Sequence, residues 1–464
     1  MAVSSPSVAG SPDRGADATV ARRGDAPPAS SRRLRVLVIA ELANPEWASV
    51  PLEGWSHWHA LAKITDAHLV THLRNRENIA RAQLPADRFT TLDSRGVERR
   101  MDGLARLLGR AGAGLTTATA FSAAAYYYFE HLAWRTFRSR ILSRQFDVVH
   151  RLTPLSPTTP SLLAGKCARA GIPFVVGPLN GGLPWPKGFN YARIQEHEWL
   201  TFVRDAYKLL PGYRGTRKHA AAIICGSMAT RDQIASRYRG KTVYIPENAI
   251  EPQRFALPPS RTAVRPLRVA FVGRFTLYKG CDMLIEAAAP LVRDGALVLD
   301  LIGDGAQMPG LRGLAARERL PDTIFAGWVP HAELAGRLAR SDVFAFPSIR
   351  EFGGAVVLEA MALGLVPIVI GYGGPGELVS DATGFRIPLG RRDEIVFALR
   401  GVLERLASDP SQIAAIGARA RDRVLRQFTW DAKAAQVHEV YRWVIDERGK
   451  PDFGMPLPDR SADA

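Results

Sequence analysis

Short apolar runs separated by longer amphipathic stretches recur along this chain. In the first half they occupy residues 34–40, 67–73, 146–152, 173–179, 221–226 and 242–246. In the second half they occupy 267–273, 297–303, 323–328, 342–347, 366–371 and 384–388. The runs are brief, mostly apolar and rich in β-branched residues. That pattern predicts strands buried on both faces, as in parallel sheets covered by helices. The series starts at Leu34 and starts again at Leu267, with a Pro- and Arg-rich stretch, 251–266, between them that reads as a linker. The expected fold class is α/β, with two Rossmann-like, doubly wound domains facing each other across a cleft. Ligands of such sheets sit outside the carboxyl ends of the strands.

Length agrees with this division, since 464 residues exceed what one hydrophobic core usually serves. The expected units are 1–33, a disordered leader; 34–250, the first domain; 251–266, the linker; 267–428, the second domain; 429–449, a last helix; and 450–464, a disordered tail. The leader has no apolar run and so is not read as a secretory signal. Cys167, Cys225 and Cys281 lie far apart and form no C-x-x-C pair, which argues against a disulfide framework or a zinc site. Buried thiols in a reducing cytoplasm are the simplest reading.

Charge changes the picture more than composition does. The net charge is +16, and residues 34–250 carry +13 of it, against +1 for 251–464. A basic first half suggests an acidic partner, such as an anionic membrane surface or acceptor. A nucleic-acid partner is disfavoured, because no RRM, KH or helix-turn-helix signature is present. The uncharged segment 111–129 is rich in Ala, Gly, Ser and Thr. It is too polar for a membrane span and reads first as a domain helix, second as a helix on an anionic surface.

Candidate chemistry clusters in the second half. Gly273-Arg274 and Lys279-Gly280 follow the strand at 267–273. A planar guanidinium and a mobile ammonium there suit a diphosphate. Gly303-Asp304-Gly305 follows the next strand but lacks the third glycine of a dinucleotide fingerprint, since Met308 stands there. Then come Glu351-Phe352-Gly353-Gly354-Ala355-Val356 and, eight residues after Glu351, Glu359. Paired glycines let backbone approach a ligand, and the helix start that follows offers free amides to phosphate. After the first strand, Ala40-Glu41-Leu42-Ala43-Asn44 replaces the glycine fingerprint of a nicotinamide dehydrogenase.

These motifs, in this order and spacing, resemble the signature of retaining nucleotide-sugar glycosyltransferases of family 4, which have the GT-B fold. The resemblance covers most of 267–390. It implies a metal-independent enzyme without a cofactor, using a nucleoside-diphosphate sugar as co-substrate. It assigns catalysis to Glu351, Arg274, Lys279 and His150, the last at the end of a D-V-V-H strand facing the cleft. It gives donor binding to Gly54, Gly303, Gly305, Phe352, Gly353, Gly354, Ala355, Val356 and Glu359. His57 and His59 are weaker candidates near Gly54. The loop with Asn180, Gly181, Gly182 and Trp185 is the expected acceptor loop. The segment Glu247-Asn248-Ala249 departs from the family's I-P-N-G hinge. By the resemblance, the first domain takes the acceptor, the second takes the donor, and the last helix crosses back to the first. The implied acceptor is a glycan or lipid-linked group in cell-surface polysaccharide or glycolipid synthesis. The implied location is cytoplasmic, with peripheral contact at the inner face of the plasma membrane. The alternatives are a nucleotide-sugar epimerase of the same fold or a non-catalytic nucleotide-sugar binder.

Overall fold

The computed structural model of the protein describes residues 32–97, 99–100, 115–195, 206–255 and 266–454. The expected leader lies almost wholly outside the described residues, as do 256–265 of the expected linker and 455–464 of the expected tail. Two parallel sheets form the cores. The first holds β1 (Arg35–Ala40), β2 (Asp66–His72), β3 (Phe89–Leu92), β4 (Val148–Thr153), β5 (Phe174–Leu179), β6 (Ala222–Cys225) and β7 (Thr242–Tyr244), in the order β3-β2-β1-β4-β5-β6-β7. The second holds β8 (Leu267–Val272), β9 (Leu297–Ile302), β10 (Phe325–Gly327), β11 (Val343–Phe346), β12 (Val366–Ile370) and β13 (Phe385–Ile387), in the order β10-β9-β8-β11-β12-β13. In each sheet the order reverses once, between β1 and β4 and between β8 and β11. Doubly wound sheets bind ligands at that reversal.

The apolar runs become strands because both faces of the first sheet are covered. Successive side chains of a strand point to opposite faces. Val36, Val38 and Ala40 of β1 therefore join one buried cluster, and Leu37 and Ile39 join another. The helix Val50–Ile64 and the helix Trp430–Val444 close the first cluster, through Trp58 and Leu61 on one and Val437, Val440 and Tyr441 on the other. The helix Leu115–Leu142 closes the second with Tyr126, Phe129, Ala133, Phe137 and Ile141, spaced three and four apart along one stripe. Part of the uncharged segment 111–129 is thus this helix, while residues 111–114 lie outside the described residues. Among the described residues, no helix is long and apolar enough to cross a membrane.

β3 is the strand that the apolar pattern does not predict. It is Phe89-Thr90-Thr91-Leu92 at the sheet edge, with three of its four residues only half-buried. With Thr90 and Thr91 at its centre, this edge strand carries no continuous apolar run. The other strands fall within the predicted runs or extend one residue beyond them.

The chain passes between the sheets twice, and the passages touch. Ile250, leaving the first sheet, forms an isolated parallel bridge with Thr429. Ile250 N donates to Phe428 O at 2.8 Å, and Trp430 N donates to Ile250 O at 3.2 Å. The Thr429 hydroxyl accepts from Ala432 N at 3.1 Å and so caps the helix Trp430–Val444. That helix, here termed the crossing helix, then lies on Val50–Ile64.

Candidate active site

A cleft of about 560 Å³ opens where the two strand-order reversals meet. The first half lines it with Leu42, Ser49, Val50 and Glu53 after β1, Pro154, Leu155 and Ser156 after β4, Asn180 and Gly181 after β5, and Glu247 and Asn248 after β7. The second half contributes Glu351, Phe352, Gly353, Gly354 and Ala355, which follow β11.

Local geometry makes the second wall. Gly354 takes a left-handed φ of 81° and turns the chain into the helix Ala355–Ala362. That helix starts at the cleft, so its first amides face the space where an anion would sit. Gly353 is glycine for a different reason. A Cβ there would stand 1.8 Å from Asn248 Nδ2 and 2.5 Å from Glu247 Oε1. The segment leading out of the first sheet therefore packs directly on the Gly353 backbone.

Lys279 and Glu351 meet as an ion pair, and their side chains remain 16% and 20% exposed. Two loops bring them together. Lys279 ends the 3₁₀ turn Leu277–Lys279 after β8. Tyr278 O in that turn accepts from Ile349 N at 2.9 Å and from Ser348 Oγ at 3.0 Å, in the loop after β11. The Lys279 ammonium also stands 5.0 Å from the centre of the Phe346 ring. Arg274 is exposed beside this turn. The loop carrying Gly303 and Gly305 packs under it, against the Gly273 carbonyl and the Phe275 backbone.

Glu359 sits one turn into the helix Ala355–Ala362, with Oε1 2.9 Å from His331 Nε2. His331 Nδ1 in turn lies 2.9 Å from Arg254. Both ring nitrogens of this half-exposed histidine are thus engaged.

His150 is a correction. It does not face the cleft, because β4 continues to Thr153 and His150 lies in mid-strand. It is fully buried, with Nδ1 2.6 Å from the Tyr441 hydroxyl and Nε2 2.6 Å from Gly177 O. Burial holds it neutral, down at about 4. Both nitrogens are used inside the protein, and the ring fixes the crossing helix to the first sheet. Gly54 also differs from its expected place. It lies inside the helix Val50–Ile64, where a Cβ would stand 2.1 Å from Leu42 O. Its closeness serves the packing of that helix on the loop after β1. His57 is buried against Trp430 and His59 is exposed beside Trp55; neither lines the cleft.

The expected acceptor loop is split between two tasks. Asn180 and Gly181 line the cleft. Gly182 O accepts from Gln233 Nε2 at 2.9 Å. Trp185 reaches the other half, with the Arg350 guanidinium 4.8 Å from its ring and Tyr278 set edge-on. Tyr372 OH donates to Pro184 O at 2.8 Å. Glu377 adds a further tie, accepting from Met228 N at 3.0 Å and from Tyr244 OH at 2.7 Å. Burial pushes its carboxyl up to about 7.

Three functional candidates are not apparent from motifs. Glu53 lines the cleft, and its Oε2 is buried without a hydrogen-bond partner. Lys433, on the crossing helix, is fully buried, and its Nζ has no hydrogen-bond partner. Burial raises the Glu53 and Glu247 carboxyls, the Glu53 charge raises Glu247 further, and burial lowers the Lys433 ammonium. His331, the partner of Glu359, is the third. The only signal for Lys433 is a lysine on an otherwise apolar stripe with Ala434, Val437, Val440 and Tyr441.

Comparisons with known proteins agree with this arrangement. Residues 255–422 match the family model described as Glycosyl transferases group 1. A glycogen synthase of Mycobacterium tuberculosis is 28% identical over 253 residues, 52% of this chain and 60% of its own length. A D-inositol 3-phosphate glycosyltransferase of Kineococcus radiotolerans is 29% identical over 260 residues, 49% of this chain and 58% of its own. An alpha-maltose-1-phosphate synthase of Mycolicibacterium smegmatis is 32% identical over 188 residues, 39% of this chain and 48% of its own. The chain thus spans about half the length of the curated relatives it matches. Among solved structures, Anabaena HepE in complex with UDP superposes with a TM-score of 0.57 at 16% identity, over 88% of this chain and 99% of HepE. Sucrose-phosphate synthase of Thermosynechococcus elongatus gives 0.55 at 19% identity, over 90% and 100%. The fold is GT-B.

Proposed function

We propose that this chain, whose residues 255–422 match the Glycosyl transferases group 1 model and whose fold is GT-B, is a retaining, metal-independent transferase of family 4. It moves a sugar from a nucleoside-diphosphate sugar to a hydroxyl of a glycan or lipid-linked acceptor. The observation that carries this reading is the Lys279–Glu351 pair beside the start of the helix Ala355–Ala362, at the meeting point of both strand-order reversals.

In this reading the donor's diphosphate lies between Lys279, Arg274 and the first amides of that helix. Its arrival draws Lys279 from Glu351, which frees the carboxylate for the donor sugar. Glu359, steadied by His331, holds the ribose hydroxyls. The acceptor oxygen then bonds to the anomeric carbon as the bond from that carbon to the phosphate oxygen breaks. The acceptor proton passes to that phosphate oxygen on the same face. The protein supplies position and charge: the ammonium, the guanidinium and the helix amides stabilise the leaving diphosphate. Because HepE was solved with UDP, UDP-sugars are the first donors to test. The basic first half supports peripheral contact with an anionic membrane face.

The test is the anomeric configuration of the product, read by NMR. An α-linked donor is expected to give an α-linked product, and a β-linked product would overturn the retaining mechanism. Turnover of the donor to its epimer without any acceptor would point to the epimerase instead.

A further inference from the structure

The first-half wall of the cleft holds carboxylates that the donor reading does not use. Glu53, from the helix Val50–Ile64, and Glu247, from the segment after β7, both line it across from the Gly353 turn. Behind them the crossing helix places Lys433, fully buried and within electrostatic reach of both. Two buried atoms of this cluster, Glu53 Oε2 and Lys433 Nζ, have no hydrogen-bond partner. Buried polar atoms are normally paired, so such atoms beside a cleft mark a place completed by a ligand or water.

Building on the transferase reading, we propose that Glu53 and Glu247 form the acceptor subsite and that it binds a neutral polyhydroxyl group. Lys433 acts as a positioning residue that keeps the two carboxyls together. The ligand class follows from charge. Glu53, Glu247 and Glu351 line one cleft, and the charges of Glu53 and Glu351 both act on Glu247. Carboxyl groups exchange hydrogen bonds with hydroxyls and offer no counter-charge to a phosphate or carboxylate group. Burial keeps protons on these carboxyls more readily than in water, so the same wall also donates to a sugar oxygen. The cations Arg274 and Lys279 stand on the other half, where the donor's phosphates go. The reacting end of the acceptor is therefore uncharged, and the net positive charge of the first half serves a different contact.

The test uses the full chain with a UDP-sugar panel and two sets of acceptors: methyl glycosides with myo-inositol, and their monophosphates. UDP release is followed with and without acceptor. The neutral set is expected to accelerate UDP release and the phosphorylated set is not. Glu53→Gln and Glu247→Gln are expected to raise the acceptor KM ~10-fold or more, the usual effect of weakening a charged hydrogen bond. Donor KM and the melting shift produced by UDP should stay as in wild type. Lys433→Met should raise the acceptor KM in the same way; if it fails to fold, the two glutamine variants still decide. An unchanged acceptor KM in both, or acceleration by the phosphorylated set alone, would overturn the subsite. No binding and no turnover of any UDP-, GDP-, ADP- or dTDP-sugar by wild type would instead count against the transferase reading from which the subsite is drawn.

Discussion

Replacing Lys279 with alanine is expected to lower transfer by ~10²-fold or more, the usual cost of removing one group that stabilises developing charge. Its ammonium is brought to the cleft by a turn that hydrogen-bonds to the loop carrying Glu351. That loop leads straight into the helix whose amides complete the anion site. The side chain is part-exposed, so its removal leaves no core cavity. The loss should appear mainly in kcat, because the charge it answers grows as the diphosphate leaves. Lys279→Arg is expected to recover only part of the rate, since a planar fork does not replace a point charge. Steady-state kinetics with the best donor check this, and unchanged turnover in the alanine variant would contradict it.

Trp58→Ala is expected to destabilise the protein by about 3–5 kcal/mol, the usual cost of removing a large aromatic from a core. Trp58 has no exposed surface and packs between the first sheet and the crossing helix. It belongs to the same buried cluster as Leu61, Val437 and Tyr441, so the cavity opens in the core on which the crossing helix docks. The same loosening would displace Lys433, which that helix carries. Transfer should therefore fall at temperatures where the fold persists. Chemical denaturation monitored by fluorescence and circular dichroism measures the effect, and a loss under about 1 kcal/mol would contradict the packing described.

The fold was legible because most strands here are buried on both faces and so appear as unbroken apolar runs. β3 escaped because Thr90 and Thr91 interrupt its apolar ends and leave no such run. In the second half of the candidate site, the sequence motifs already place Lys279 near Glu351 and put Gly353 and Gly354 at the cleft. Arg274, Lys279, Glu351, Gly353, Gly354 and Glu359 are close in sequence to the strand ends that place them. Long-range pairing was not readable. A D-V-V-H run does not say that the strand continues past His150, nor that Tyr441, 291 residues away, takes its Nδ1. Glu247 looked like a departure from a hinge pattern, yet it packs on Gly353 because the segment after β7 crosses that turn. Glu53 and Lys433 come from two helices that meet only when the chain returns to the first sheet.

The central claim is that the cleft beside the helix Ala355–Ala362 holds a nucleoside-diphosphate sugar. The most direct measurement is a thermal-shift panel of UDP-, GDP-, ADP- and dTDP-sugars on wild type and Glu359→Ala. A ligand at ~100 times its Kd adds about 2.7 kcal/mol to the folded state. The account predicts stabilisation by one nucleotide class and its loss in the variant. No stabilisation by any of the four, or an equal shift in both proteins, would contradict it.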